Sequence, residues 1–161
     1  MRSKQQARSI QVPGLGSIRF QQKHIFTFPT GIIGFEHLKR YVLISSPELH
    51  PLRWLIAVEE PSIAFPVLLP WYVLPHYELP SEYSDLSTCV PLVIVTLAQD
   101  PAQIVVNLKA PILLNLRTRQ GQQLILPGDR YSATHPLVSV QLAEQGDHVS
   151  AVSKSRRRNR H

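Results

Sequence analysis

The sequence predicts an all-β, mainly antiparallel fold: a small β-barrel-like domain with one or two short helical turns. Three observations carry this reading. Eight or more short runs rich in Val, Ile, Leu and aromatic residues are separated by proline and glycine, the punctuation of many short strands. No run of helical length shows the apolar period of about 3.6 residues that an amphipathic helix needs. The most apolar stretch, residues 104–115, holds Ile104, Val105 and Val106, then Ile112, Leu113 and Leu114. Neither triplet alternates polar with apolar, so both faces of each strand are covered, as in a closed sheet.

Taken in order, residues 1–9 are polar and basic and form an expected flexible N-terminal segment. Gly14 and Gly16 place a turn between strands at 10–12 and 17–20, a first hairpin. Ile25, Phe26 and Phe28 make a strand ended by Pro29. Gly31 and Gly34 then supply the positive φ of a tight reversal, and Phe35 turns into the core. A single helical turn is expected over 36–40, before a strand at 41–44. Residues 54–58 and 63–69 read as a second hairpin across Glu59, Glu60 and Pro61. Because proline has no N–H for a ladder, Pro66 and Pro70 mark the second of these strands as an edge or a bend. Pro75 and Pro80 leave room for at most a short helix over 81–86, and Pro91 opens a buried strand at 92–98. At the centre, Pro111 sets the corner between the two apolar triplets, and Asn107 satisfies backbone groups there. A strand at 121–126 ends at Pro127, Gly128 and Asp129. Weak alternation runs on to Leu142, so the domain is read as 10–142, with a flexible basic tail at 143–161.

Length and composition exclude several classes. A chain of 161 residues holds one domain with a real core. With 43% apolar and 17% charged residues it is not a disordered chain, and its apolar runs fall well short of the roughly 20 residues that span a bilayer. The basic N-terminus has no apolar h-region after it, so no secretory signal is read. Cys89 is the single cysteine, which removes an intramolecular disulfide and fits a reducing, cytoplasmic setting.

The net charge of +6 is uneven. Eight of the 17 Lys and Arg lie within residues 1–8 and 154–160, leaving nine against 11 acidic residues in 9–153. Between Trp54 and Leu108 there is no Lys or Arg, while Glu59, Glu60, Glu78, Glu82, Asp85 and Asp100 are acidic. A basic-tailed protein with an acidic middle results.

Enzyme signatures are missing from the sequence. There is no Gly-x-Ser-x-Gly elbow, no phosphate loop and no His-Glu-x-x-His, and the seven histidines show no ligand spacing. Glu59 and Glu60 point to opposite faces of an extended chain and so form no acid/base pair. Cys89 beside Val90 reads as a small buried residue. Neither a cofactor nor a metal site is expected. Trp71 and Tyr72, between Pro70 and Pro75, stand on a bent edge where large aromatics anchor a partner. Trp71 is expected to be a contact residue. Glu78, Glu82 and Asp85 form the second candidate surface, with no Lys or Arg near them in sequence and a helical turn to bring Glu82 and Asp85 onto one side.

The segment Asn107-Leu108-Lys109-Ala110-Pro111-Ile112-Leu113-Leu114-Asn115 resembles the signature of the FliW family of bacterial flagellar assembly factors. Phe28-Pro29-Thr30-Gly31-Ile32-Ile33-Gly34-Phe35-Glu36 is similar to the family's N-terminal turn, and Gly121-Gln122-Gln123-Leu124-Ile125-Leu126, Tyr131 and His135-Pro136-Leu137 follow in family order. The resemblance spans residues 25–137. Two departures stand out: Ile33 where the family usually has proline, and the arginine-rich end. The resemblance implies a β-barrel-like fold and a non-catalytic, cytoplasmic protein, a monomer when free. It also implies that the protein binds newly made flagellin and, when free, the translational regulator CsrA, relieving repression of flagellin messenger RNA. On this reading Gly31, Gly34, Phe35, Asn107, Pro111 and Asn115 are structural, and Pro70, Trp71, Tyr72, Glu78, Glu82 and Asp85 are the partner-binding candidates. Two other classes fit the composition: a small RNA-binding barrel using basic tails on phosphates, and a ligand-binding barrel with a convergent polar pocket. Against the former, the tails lack interleaved aromatics and the body is acidic.

Overall fold

A computed structural model describes residues 7–137. The expected tail at 143–161, the alternation to Leu142 and residues 1–6 lie outside the described residues. Eleven strands are present among those described: β1 (Arg8–Val12), β2 (Gly16–Phe20), β3 (Ile25–Thr27), β4 (Arg40–Ser45), β5 (Arg53–Ala57), β6 (Ala64–Leu68), β7 (Cys89–Thr96), β8 (Val105–Val106), β9 (Ile112–Asn115), β10 (Gln120–Gln123) and β11 (His135–Pro136). Strands β3, β4, β5, β6, β7, β9 and β10 are hydrogen-bonded in that order, and β10 returns to β3, closing a seven-stranded barrel. Six of these contacts are antiparallel. The seventh, β10 with β3, is a narrow parallel seam at Gln120 and Thr27, strengthened where the Thr27 N–H donates to the Arg119 carbonyl at 2.9 Å.

Alternation along the strands divides the apolar residues between three cores. Tyr41, Leu55, Val67, Leu92, Ile112 and Leu114 point into the barrel with Phe26 and Phe28. Their neighbours in sequence, Val42 and Ile56, point outward and are covered by the β1–β2 hairpin through Val12 and Phe20. Leu68, Val93 and Val95 point outward elsewhere and pack on Val106, Leu108, Leu126 and Leu137, beneath a small extension formed by the end of β7 with β8 and β11. This explains the strands that read as apolar on both faces: one face fills the lumen, the other lies under an added layer. Each fully buried Leu, Ile or Phe stabilises the fold by about 1.5–3 kcal/mol.

The prolines sit where a strand has one partner. Pro91 lies inside β7 rather than opening it, because residues 89–92 pair only with β9, and β6 joins at Val93. Pro66 likewise lies in an interior strand, in a stretch paired only with β5. Of the two alternatives, an edge or a bend, the edge does not hold for β6; a locally unpaired side accommodates the same missing N–H. Residues 36–40 form no helical turn, since the Phe35 and Leu38 N–H groups bond to Ile32 and Phe35 in two successive turns. The short helix expected over 81–86 is a 3-10 turn at Ser81–Tyr83. It stops where Ser84 Oγ bonds back to the Ser81 carbonyl and Asp85 caps its own turn through Ser87. The strand at 121–126 ends at Gln123, after which Leu124 and Leu126 bond to Pro111 and Lys109 across the corner.

Candidate functional site

The aromatic candidates stand on a 3-10 turn, Pro70–Tyr72, directly after the interior strand β6. Pro70 is buried, and Trp71 and Tyr72 are half-buried. Trp71 Nε1 donates to the Tyr77 carbonyl at 3.1 Å while the ring packs on the core beneath the extension. Tyr72 Oη lies 3.2 Å from His50 Nε2, with the two rings edge to face. Each aromatic is thus held on one side and offers the other to solvent. Such a preset side chain loses little rotamer freedom on contact.

The three candidate carboxylates are not equivalent. Arg130, 52 residues away in sequence, meets Glu78 at 3.0 Å, and that bond raises the guanidinium above its ordinary value. Tyr131 Oη accepts the Glu78 N–H at 2.8 Å. Sequence proximity could not reveal this neutralising partner. Glu82 and Asp85 remain exposed and in no ion pair among the described residues. Asp85 Oδ1 accepts the Ser87 hydroxyl at 2.6 Å and its N–H at 3.1 Å, which hold the carboxyl below the usual range. The 3-10 turn ends at Tyr83, so no helix aligns Asp85 with Glu82.

The remaining motif residues build corners. Gly31 has φ +70°, and a Cβ there would lie 2.6 Å from Glu36 Cα. Gly34 has φ +89° and its N–H donates to Glu36 Oε1 at 3.0 Å, lowering that carboxyl's pKa. Phe35 packs edge to face on Phe65 at 5.1 Å. The Ile33 N–H donates to Gln123 Oε1 at 2.9 Å, a bond that proline could not make. Asn107 Oδ1 accepts the N–H groups of Lys109 and Ala110, and Asn115 Oδ1 accepts those of Arg117 and Thr118. The same side-chain turn therefore shapes both ends of the central strand β9, which Pro111 precedes.

Nothing in these arrangements assembles a reacting group. Burial pushes the half-buried Cys89 thiol up, away from the thiolate, and among the described residues no three His, Cys, Asp or Glu gather to hold a metal. Among the described residues no helix is long and apolar enough to cross a membrane. Two features had no readable signal. Gly121 is the inward residue of the polar strand β10, and the ring of Phe28 occupies the space its side chain would need. Arg119 has φ +58°, and its guanidinium lies 3.8 Å over the Phe26 ring.

Comparison with known proteins agrees with this architecture. The family model described as FliW protein matches residues 9–137. A protein of Thermosipho africanus named flagellar assembly factor FliW is 32% identical over 132 residues, covering 76% of this chain and 91% of the relative. Its namesakes in Carboxydothermus hydrogenoformans and Geobacter sulfurreducens are 34% and 37% identical, covering 84% and 75% of this chain and 92% and 80% of theirs. A crystal structure of the flagellar assembly factor FliW superposes with a TM-score of 0.73 at 30% identity, covering 81% of this chain and 96% of that one.

Proposed function

We propose that this chain, which belongs to the FliW family of flagellar assembly factors, works by exchanging protein partners without catalysis or a cofactor. In the cytoplasm it binds newly made flagellin; when free it binds CsrA and relieves repression of flagellin messenger RNA. The observation that carries the CsrA half is the exposed pair Glu82 and Asp85, in a stretch from Trp54 to Leu108 that holds no Lys or Arg. Unneutralised carboxylates attract a partner that is basic because it holds RNA, and they repel phosphate. Glu78 contributes less, since Arg130 already answers it. For flagellin the proposed anchor is Trp71 and Tyr72, supported by the solvent-facing sides of the two aromatics; Pro70, also a candidate from the sequence, is buried and positions them from beneath.

The experiment is a pull-down with the purified chain against flagellin and CsrA, separately and in competition. Flagellin is expected to displace CsrA. Trp71→Ala is expected to weaken flagellin capture while leaving CsrA capture in place, and Trp71→Phe to restore most of it. Retention of neither protein, or equal loss of both on Trp71→Ala, contradicts the reading.

A further inference from the structure

We propose that the cleft between β2, the β3–β4 pair and the β9–β10 loop binds a peptide segment that presents a carboxylate beside an aliphatic side chain; this does not depend on the flagellin and CsrA reading. The cleft has a volume of about 360 Å³. Its polar side is Arg19, His24 and Arg119, two of them cationic, and its apolar side includes Phe20, Ile44 and Leu116, with no carboxylate in the lining. Among the described residues neither Arg19 nor Arg119 is in an ion pair.

Arg119 is the central observation. It closes the loop between β9 and β10 at φ +58°, the left-handed position that glycine or asparagine takes without strain. An arginine kept in a strained backbone well indicates a use for its side chain. That side chain lies over Phe26 with its guanidinium carbon 3.8 Å from the ring centroid, and its Nε is buried without a hydrogen-bond partner. A planar cation fixed against an aromatic ring, with donors left over, is preorganised for a carboxylate. His24 adds a donor rather than a charge. Its Nδ1 accepts the Gln21 N–H at 2.9 Å, so the neutral ring carries its proton on Nε2 as a further donor. Arg8 lies over Phe20 at 5.5 Å and adds a third positive group at this end of the molecule.

The rest of the lining specifies the neighbouring side chain and the backbone. Leu116 is 41% exposed, and with the half-buried Ile44 it offers an aliphatic wall that water alone covers poorly. Among the described residues β2 pairs only with β1, and the cleft takes residues from β2 and none from β1. The unpaired edge of β2 therefore runs beside the cleft, where an extended peptide can add as a strand.

The test uses the full chain and fluorescence anisotropy with a labelled, amidated hexapeptide Ser-Ala-Leu-Glu-Leu-Ser, its counterpart with Gln for Glu, and a labelled six-nucleotide single strand. The Glu peptide is expected to bind about tenfold tighter than the Gln peptide. Arg119→Gly is expected to abolish that preference while the melting temperature stays level or rises, because glycine takes the left-handed position freely. Should Arg119→Gly fail to fold, Arg19→Gln, at an exposed position, is expected to reduce the preference several-fold. Equal affinity for the two peptides, or an unchanged preference in the variant that folds, overturns the proposal. So does tighter binding of the oligonucleotide that is lost in the same variant, which would assign the cleft to phosphate.

Discussion

Adding one methyl group at Gly121 should be among the most destabilising changes available in this protein. A Cβ at that position would lie 2.3 Å from Phe28 Cζ, 2.4 Å from Cε1 and 2.8 Å from Cε2, far inside van der Waals contact. The ring cannot swing away freely. Phe28 is fully buried, Tyr41 stands edge to face against it at 5.0 Å, and Tyr41 is itself fully buried. Overpacking of this kind costs about 1–3 kcal/mol. Against it, alanine restricts the unfolded chain and recovers about 0.4–1 kcal/mol, since φ at Gly121 is not in the left-handed region. The net expectation for Gly121→Ala is a loss of about 1–2 kcal/mol, a fall in melting temperature of roughly 4–7 °C for a domain of this size. Urea unfolding followed by tryptophan fluorescence measures it. Phe28→Leu, which removes the clashing ring atoms, should rescue part of the loss, so a double-mutant cycle should show strong positive coupling. Unchanged or increased stability in Gly121→Ala, or strict additivity with Phe28→Leu, would refute the reasoning.

Two further outcomes follow from buried hydroxyls and exposed carboxylates. Burial pushes the Tyr41 hydroxyl up to about 12 and also raises Tyr77, whereas an unfolded tyrosine titrates near 10. Because the folded values are the higher ones, their contribution is complete below pH about 10 and is lost as pH rises from there through the folded values. Tyr77→Phe breaks a 2.6 Å bond to the Leu108 carbonyl and should cost about 1–2 kcal/mol at neutral pH. Tyr41→Phe removes a buried hydroxyl without a partner and should be neutral or mildly stabilising; both substitutions should flatten the alkaline limb of a stability–pH curve, and a large loss in Tyr41→Phe would count against its orphan status. Changing Glu82 and Asp85 together to their amides should slow association with CsrA and flatten its dependence on ionic strength, while Glu78→Gln, whose partner is Arg130, should change neither. Stopped-flow association at several salt concentrations decides it, and identical slopes would return the pair to an ordinary solvated face.

By itself the sequence determined the elements and the class of fold, because strands and turns are written in local patterns. The hairpins over β1–β2 and β5–β6, the glycine reversal at Gly31 and Gly34, and the Asn107–Pro111 corner all depend on residues within a few positions of one another. The covered triplet at 112–114 implied a closed sheet and lies in the barrel as β9; the triplet at 104–106 does not, because Val105 and Val106 pair as β8 in the added extension, where Ile104 and Val105 are only half-buried. The signature around Asn107 and Asn115 was legible for the same reason: each side chain shapes its own turn. Tertiary structure decided what depends on distant partners. Pro66 and Pro91 indicated a missing hydrogen bond, but only the staggered pairing of β6, β7 and β9 decided that the gap lies within interior strands. The neutralisation of Glu78 by Arg130, the fit of Phe28 over Gly121 and the tie from Ile33 to Gln123 join residues 52, 93 and 90 positions apart. Arg119 in sequence is one more loop cation. Barrel closure at the β3–β10 seam turns it back over Phe26, because a local pattern records which way a side chain points along its own strand but not which strand arrives to meet it.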